Sequence, residues 1–120
     1  KAKTENDIAR EVKKTKIVPV STLFPDAPEE FRGLTIGLSL PKDNVDSSML
    51  GHAICDTCNV NFALMLFPST KSISLRSNGD NDCLKLIREV IKNGGGHEHS
   101  AGAPLTNEQM VSLLTTYWNL

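Results

Sequence analysis

The stretch Asn61-Phe-Ala-Leu-Met-Leu-Phe67, followed by Pro68-Ser-Thr70 and then Lys71-Ser-Ile-Ser-Leu-Arg76, decides the fold. The first segment is apolar almost throughout, as expected of a strand buried on both faces. The second alternates with period two, the pattern of a half-buried strand, and the proline-led turn between them predicts an antiparallel pair. Upstream, Leu34-Thr-Ile-Gly-Leu-Ser-Leu40 alternates in the same way and is halted by Pro41. Asp46 then offers a cap for a helix with the apolar stripe Met49, Leu50, Ala53 and Ile54, with Cys58 near its end.

Downstream, Asn78-Gly-Asp-Asn81 turns into a second helix, read as Asn81 to Lys92, with Cys83, Leu84, Ile87, Val90 and Ile91 inward. Asn93 and Gly94 are expected to supply the left-handed backbone that ends it. A glycine- and histidine-rich loop follows. Thr106 and Gln109 then stand at capping-box spacing before Met110, Leu113, Leu114 and Tyr117 on one helical face. Strand, helix, hairpin, helix, loop and helix together predict an α/β fold, a small mixed β-sheet with helices packed on it. Thr4 to Lys14 reads as a weak solvated helix, and Pro19, Pro25 and Pro28 as an irregular connection. The expected division is therefore residues 1–32, an N-terminal helix and linker, and residues 33–120, the domain proper.

A chain of 120 residues with 39% hydrophobic and 22% charged residues suits one globular domain. Net charge −1 argues against general electrostatic attraction to nucleic acid or anionic lipid, so a bound anion must be held by local geometry. No apolar run approaches membrane-spanning length, and no membrane partner is expected. Three cysteines cannot all pair within the chain, which favours an intracellular, reducing compartment. No signal-peptide pattern opens the chain, and its start at Lys1 rather than Met suggests processing or excision from something longer.

The most unusual stretch is Asn93-Gly-Gly-Gly-His-Glu-His-Ser-Ala-Gly102. Consecutive glycines serve positive φ angles or a close approach of backbone N–H groups to a ligand. Successive N–H groups facing one concavity form an anion nest, and His97 beside them adds a titratable donor. The plainer alternative is a helix stop followed by a surface loop. Arg76 and Ser77 offer a planar guanidinium fork and a hydroxyl at a strand end, and the helix packing back on the sheet should bring them near the glycines. Cys55 and Cys58 have zinc-knuckle or redox spacing that His97 and His99 could complete, but Cys58 falls on a buried helical stripe. Ordinary cysteines are expected, and no metal site. His52 reads as structural, beside the inner face of its helix. Asp80 and Asp82 read as turn and capping residues. No nucleophile with its base is identifiable, so no catalytic residue is assigned.

Leu75-Arg-Ser77, a helix, and then Gly94-Gly-Gly-His-Glu-His-Ser-Ala-Gly102 resemble the DHH-associated domain, type one, the C-terminal substrate-binding domain of DHH superfamily phosphoesterases. Leu50-Gly-His-Ala53 in the first helix and the Asn61–Phe67 strand agree, and the similarity covers Gly33 to Leu105. The superfamily includes single-strand exonucleases, nanoRNA-degrading oligoribonucleases, cyclic-dinucleotide phosphodiesterases and exopolyphosphatase-like enzymes. The resemblance implies a substrate-binding role, with Arg76, Ser77, Gly94, Gly95, Gly96 and His97 gripping a substrate phosphate and His99 and Ser100 as additional candidates. It also implies a separate catalytic DHH domain, in cis or trans, holding two divalent metals, usually manganese. No cofactor is expected in this chain. Many relatives carry alanine at the place of Ser100, and Glu98 would repel phosphate if it pointed inward. Two other readings stand beside this one. One is an RNA-binding tail module like that of alanyl-tRNA synthetases, whose glycine run continues differently. The other is a non-catalytic interaction domain.

Overall fold

The computed structural model describes residues 2–42 and 44–120, with side chains from residue 7 onward. Its centre is the apolar strand β3 (Phe62–Phe67), in which Phe62, Ala63, Leu64, Met65 and Leu66 have no exposed surface. A strand can be buried on both faces only inside a sheet covered on both sides. On one edge β3 pairs in parallel with β2 (Thr35–Ser39), and on the other antiparallel with β4 (Ser72–Arg76). The parallel pair is joined by the helix Ser47–Cys58, a crossover of the kind parallel strands require. The antiparallel pair is joined by a single 3-10 turn at Pro68–Thr70, closed by Lys71 in the left-handed region.

The cap of the crossover helix is as the sequence suggests: the Asp46 carboxylate accepts from the amides of Ser48 and Met49 at 2.9 and 3.1 Å. Its inner stripe is Leu50, Gly51, Ile54 and Cys55, whereas Met49, expected inside, is 44% exposed. A helix over Cys83–Val90 starts from Asp82 and buries Cys83, Leu86 and Ile87. It stops at extended Ile91 (φ −129°, ψ 119°), short of Lys92, and Asn93 and Gly94 do not adopt the left-handed conformation anticipated for them. The C-terminal helix Asn107–Asn119 opens with a complete capping box between Thr106 and Gln109 and buries Met110, Leu113 and Tyr117.

The glycine-rich segment is not a loop. Gly95–His97 forms strand β5 and Ser100–Pro104 forms β6, an antiparallel hairpin that joins the sheet through β6 and β4. The segment read as an irregular linker also contributes. Lys16–Pro19 forms the edge strand β1, antiparallel to β2, and short helical turns follow at Val20–Leu23 and Glu29–Arg32. Pro19 is tolerated because it ends an edge strand, where a missing N–H breaks no inner ladder. The sheet is thus six-stranded and mixed, in the order β1-β2-β3-β4-β6-β5. The α/β class holds.

Alternation along each strand sorts the side chains into two layers. On one face lie Val18, Ile36, Leu38, Phe62, Leu64, Leu66, Ile73, Leu75, Ala101 and Ala103, with Leu86, Ile87, Leu113 and Tyr117 above them. On the other, Ala63 and Met65 meet Leu50, Ile54, Cys55 and Ile8. Ile8 belongs to the N-terminal helix Ala2–Lys14, which was expected to be solvated; it packs on the crossover helix, and Glu11 is only 2% exposed. Replacing Leu64 with Ala should cost about 2–5 kcal/mol of stability through the cavity left between layers. Asp46→Ala should cost about 1 kcal/mol through the lost cap. Denaturant titration read by circular dichroism measures both.

Candidate functional site

The two layers differ in extent. The larger core backs the sheet from β1 to β6, whereas the N-terminal and crossover helices cover mainly the β2–β3 half of the other face. What remains uncovered there follows from register, since residues directly opposite on paired strands point to the same side. Arg76 stands opposite Ser100, and Ser100 opposite His97; Ser74 stands opposite Gly102, and Gly102 opposite Gly95. These six residues share one open face, and none of them is buried. Serine, glycine, arginine and histidine ask for no apolar cover, so the sequence itself leaves this half-sheet open to solvent.

Arg76 lies at the border between open face and helix. Its carbonyl accepts from the Cys55 thiol at 3.8 Å, and Nη2 donates to Ser47 Oγ at 3.5 Å, the outer limit of a hydrogen bond. Its Nε is buried and has no hydrogen-bond partner. Among the described residues, no carboxylate lies within ion-pair range of it. A buried donor of a charged group left unpaired costs about 1–3 kcal/mol or more, a deficit that an anionic acceptor would remove.

The three glycines have three different situations. Gly94 donates its N–H to Ile91 O at 3.1 Å and packs on Ile87, whose Cγ1 would lie 2.8 Å from any Cβ there. Gly95 has open space where a side chain would be. Gly96 has φ +136°, and a Cβ would run into the carbonyl of Ser100 and the Cα of Ala101. The expected nest of three convergent amides is absent, because a strand sends successive N–H groups to opposite sides. His97 is exposed on the open face.

Ser77 has turned to the other side. It is buried, donates from its hydroxyl to Asn81 O at 2.6 Å and receives the Cys83 thiol at 3.3 Å. Its role is to close the turn into the following helix rather than to face solvent. The His99 ring lies 2.7 Å from Gly79 O and ties the hairpin tip to the same turn, which Asn78 also anchors by donating to Asp56 at 2.6 Å. A hollow of about 470 Å³ at that tip is lined by Leu84, Gly96, His97, Glu98, His99 and Ser100, without Arg76. Arg76 and His97 therefore share a surface rather than a pocket, with Cβ atoms two strand spacings apart, about 10 Å.

Cys55 and Cys58 stay on the crossover helix, while the two histidines stand on the hairpin. Among the described residues, no group of three or more His, Cys, Asp or Glu is placed to hold a metal. His52 is exposed rather than beside the inner face. Asp82 caps its helix by accepting from the Lys85 amide at 3.0 Å. Gly51 and Ser47, which touch Arg76, were not singled out as site residues. The available signal was a glycine inside a helix, where it costs about 1 kcal/mol relative to alanine.

A six-stranded mixed sheet with helices on both faces defines the class as an α/β domain with one half-open sheet face. No family model and no curated protein matches the chain. Solved structures do. An exopolyphosphatase-related protein from Bacteroides fragilis aligns over 97% of this chain and 34% of its own length, with TM-score 0.59 and 20% identity. The exonuclease RecJ bound to manganese aligns over 97% and 28%, with TM-score 0.56 and 14% identity. An uncharacterized protein from Helicobacter pylori G27 aligns over 72% and 26%, with TM-score 0.55 and 19% identity. The shared property is the fold, and the chain spans about a third or less of each of these proteins.

Burial raises the Cys55 thiol from 9.0 to about 11, opposed by a hydrogen bond from the backbone of Asn78. Burial does the same for Cys83, to about 11, opposed by Ser77. A folded-state pKa above the ordinary one means that the fold favours the neutral thiol. That contribution is complete below about pH 9 and is lost as pH rises through about 11. Denaturant midpoints across this range should fall with pH, and the fall should shrink in Cys83→Ala. At pH 8 both thiols should resist a disulfide reagent until the chain is unfolded.

Proposed function

We propose that this chain is a substrate-binding domain of a two-metal DHH superfamily phosphoesterase, of the DHH-associated type, which holds the phosphate of a short oligonucleotide, a dinucleotide or a related phosphate compound. The observation that carries this reading is Arg76: a partly buried guanidinium on an open sheet face, with its Nε unbonded and no carboxylate in range among the described residues, in register with Ser100 and His97. Arg76, Gly95, His97 and Ser100 would contact the ligand. Ser77, Gly94, Gly96 and His99 would shape the surface from behind, through the turn and hairpin they hold together. A guanidinium recognises phosphate by paired N–H donors, and bare glycine backbone lets a bulky anion approach the sheet. The superfamily that the glycine–histidine motif resembles includes exonucleases and exopolyphosphatase-like enzymes, and two structural neighbours bear such names.

In this reading the two metals would be held by a catalytic domain, in cis or in trans. One structural neighbour is manganese-bound, which fits manganese in that domain. No step of the hydrolysis is assigned to this chain. Among the described residues, no helix is long and apolar enough to cross a membrane.

Titration calorimetry with a 5′-phosphorylated dinucleotide tests the reading. Arg76→Ala should weaken binding by about 1.5–3 kcal/mol, the scale of a charged hydrogen bond. Gly95→Val should weaken binding with little change in melting temperature, because the space it fills is empty in the fold. The chain alone should show no manganese-dependent turnover of a phosphodiester. Absence of saturable heat for the wild-type chain would point instead to an interaction domain.

A further inference from the structure

We infer that Gly51 is a positioning residue for phosphate recognition: its missing side chain lets the stem of Arg76 lie flat against the crossover helix, and so sets where the guanidinium meets the ligand. The inference rests on the binding role proposed above for Arg76.

Gly51 sits inside the helix Ser47–Cys58 and is buried. Its φ is not positive, so its backbone conformation is open to any residue. The constraint comes from across the layer. A Cβ at position 51 would lie 2.5 Å from Arg76 Cγ and 2.7 Å from Arg76 Cβ, closer than real Cβ contacts come. The other near atom, Met65 Cε, would be at an ordinary 3.4 Å. Position 51 is therefore shaped by the arginine stem.

The direction of the stem follows. Arg76 Cγ lies on Gly51, and Nη2 reaches Ser47, one helical turn nearer the helix start. Met65, which also borders Gly51, is the strand partner of Ser74. The side chain thus runs from the Arg76–Ser100 row toward the Ser74–Gly102–Gly95 row, where two glycines leave the sheet bare. A methyl group on residue 51 would lift the stem away from the helix. The guanidinium would then leave Ser47, and its Nε would lose the enclosure that now fixes it.

The test uses the whole chain and a 5′-phosphorylated dinucleotide, with Arg76→Ala, Gly51→Ala, Ser47→Ala and the pair Gly51→Ala/Arg76→Ala. Gly51→Ala should raise Kd about tenfold, the equivalent of one charged hydrogen bond. It should also shift the Arg76 Nε–H resonance in a nitrogen–proton spectrum, which general loss of stability would not do selectively. In the Arg76→Ala background the Gly51 change should leave Kd unmoved. Ser47→Ala should raise Kd about two- to threefold, again only when Arg76 is present. If Gly51→Ala fails to fold, Ser47→Ala and the Arg76 resonance decide. Should Arg76→Ala weaken binding while the Gly51 and Ser47 variants bind like wild type, the positioning role is wrong. Wild-type binding in Arg76→Ala, or none in the parent chain, would sink the binding role itself.

Discussion

The alternation along β4 is the constraint on which the rest depends. Ile73 and Leu75 point into the larger core, and Ser72, Ser74 and Arg76 point the other way. A shift of one residue in its pairing with β3 would turn both faces over, placing an arginine among leucines. That cost fixes the register of β4, and β4 in turn fixes β6 and, through it, β5. The open face therefore has no builder of its own. It is the reverse side of a core, positioned to within a strand spacing by apolar residues that never meet solvent.

Much of this was legible from residue types. β2, β3 and β4 announce themselves by hydrophobic pattern, and Asp46, Asp82 and Thr106 by their place before apolar runs, because strong side-chain signals mark them. The β5–β6 hairpin was not legible. Its buried residues are Ala101 and Ala103, too small to raise an alternation above the background of glycines. β1 was hidden for a different reason: Pro19 reads as a breaker, and only the edge position makes it harmless. The helix after β4 ends early because Ile91 extends, an outcome decided by packing of Ile91 in the core rather than by the residues after it.

The site shows the same division. Arg76 and His97 were read as neighbours in space, and strand register does put them on one face. The means differs from the nest of amides first expected, since paired strands leave single glycines with separate tasks. Ser77 illustrates a limit of reading adjacent residues as a unit. In a strand, neighbours face opposite sides, so an arginine open to solvent implies a partner turned inward. Here that partner is buried under the turn, bonded to Asn81 and Cys83.

The hairpin tip is held to the body of the fold by main-chain oxygens: Glu98 O accepts from the Cys83 amide at 2.6 Å, and His99 O from the Ser77 amide at 3.3 Å. A carbonyl is common to all amino acids, so this anchorage does not depend on what residue 98 carries. The Glu98 side chain is exposed. Position 98 is thereby decoupled: its charge can change sign or vanish while the strand beside it stays in place. A scaffold of this sort can vary the charge at its rim without being rebuilt underneath.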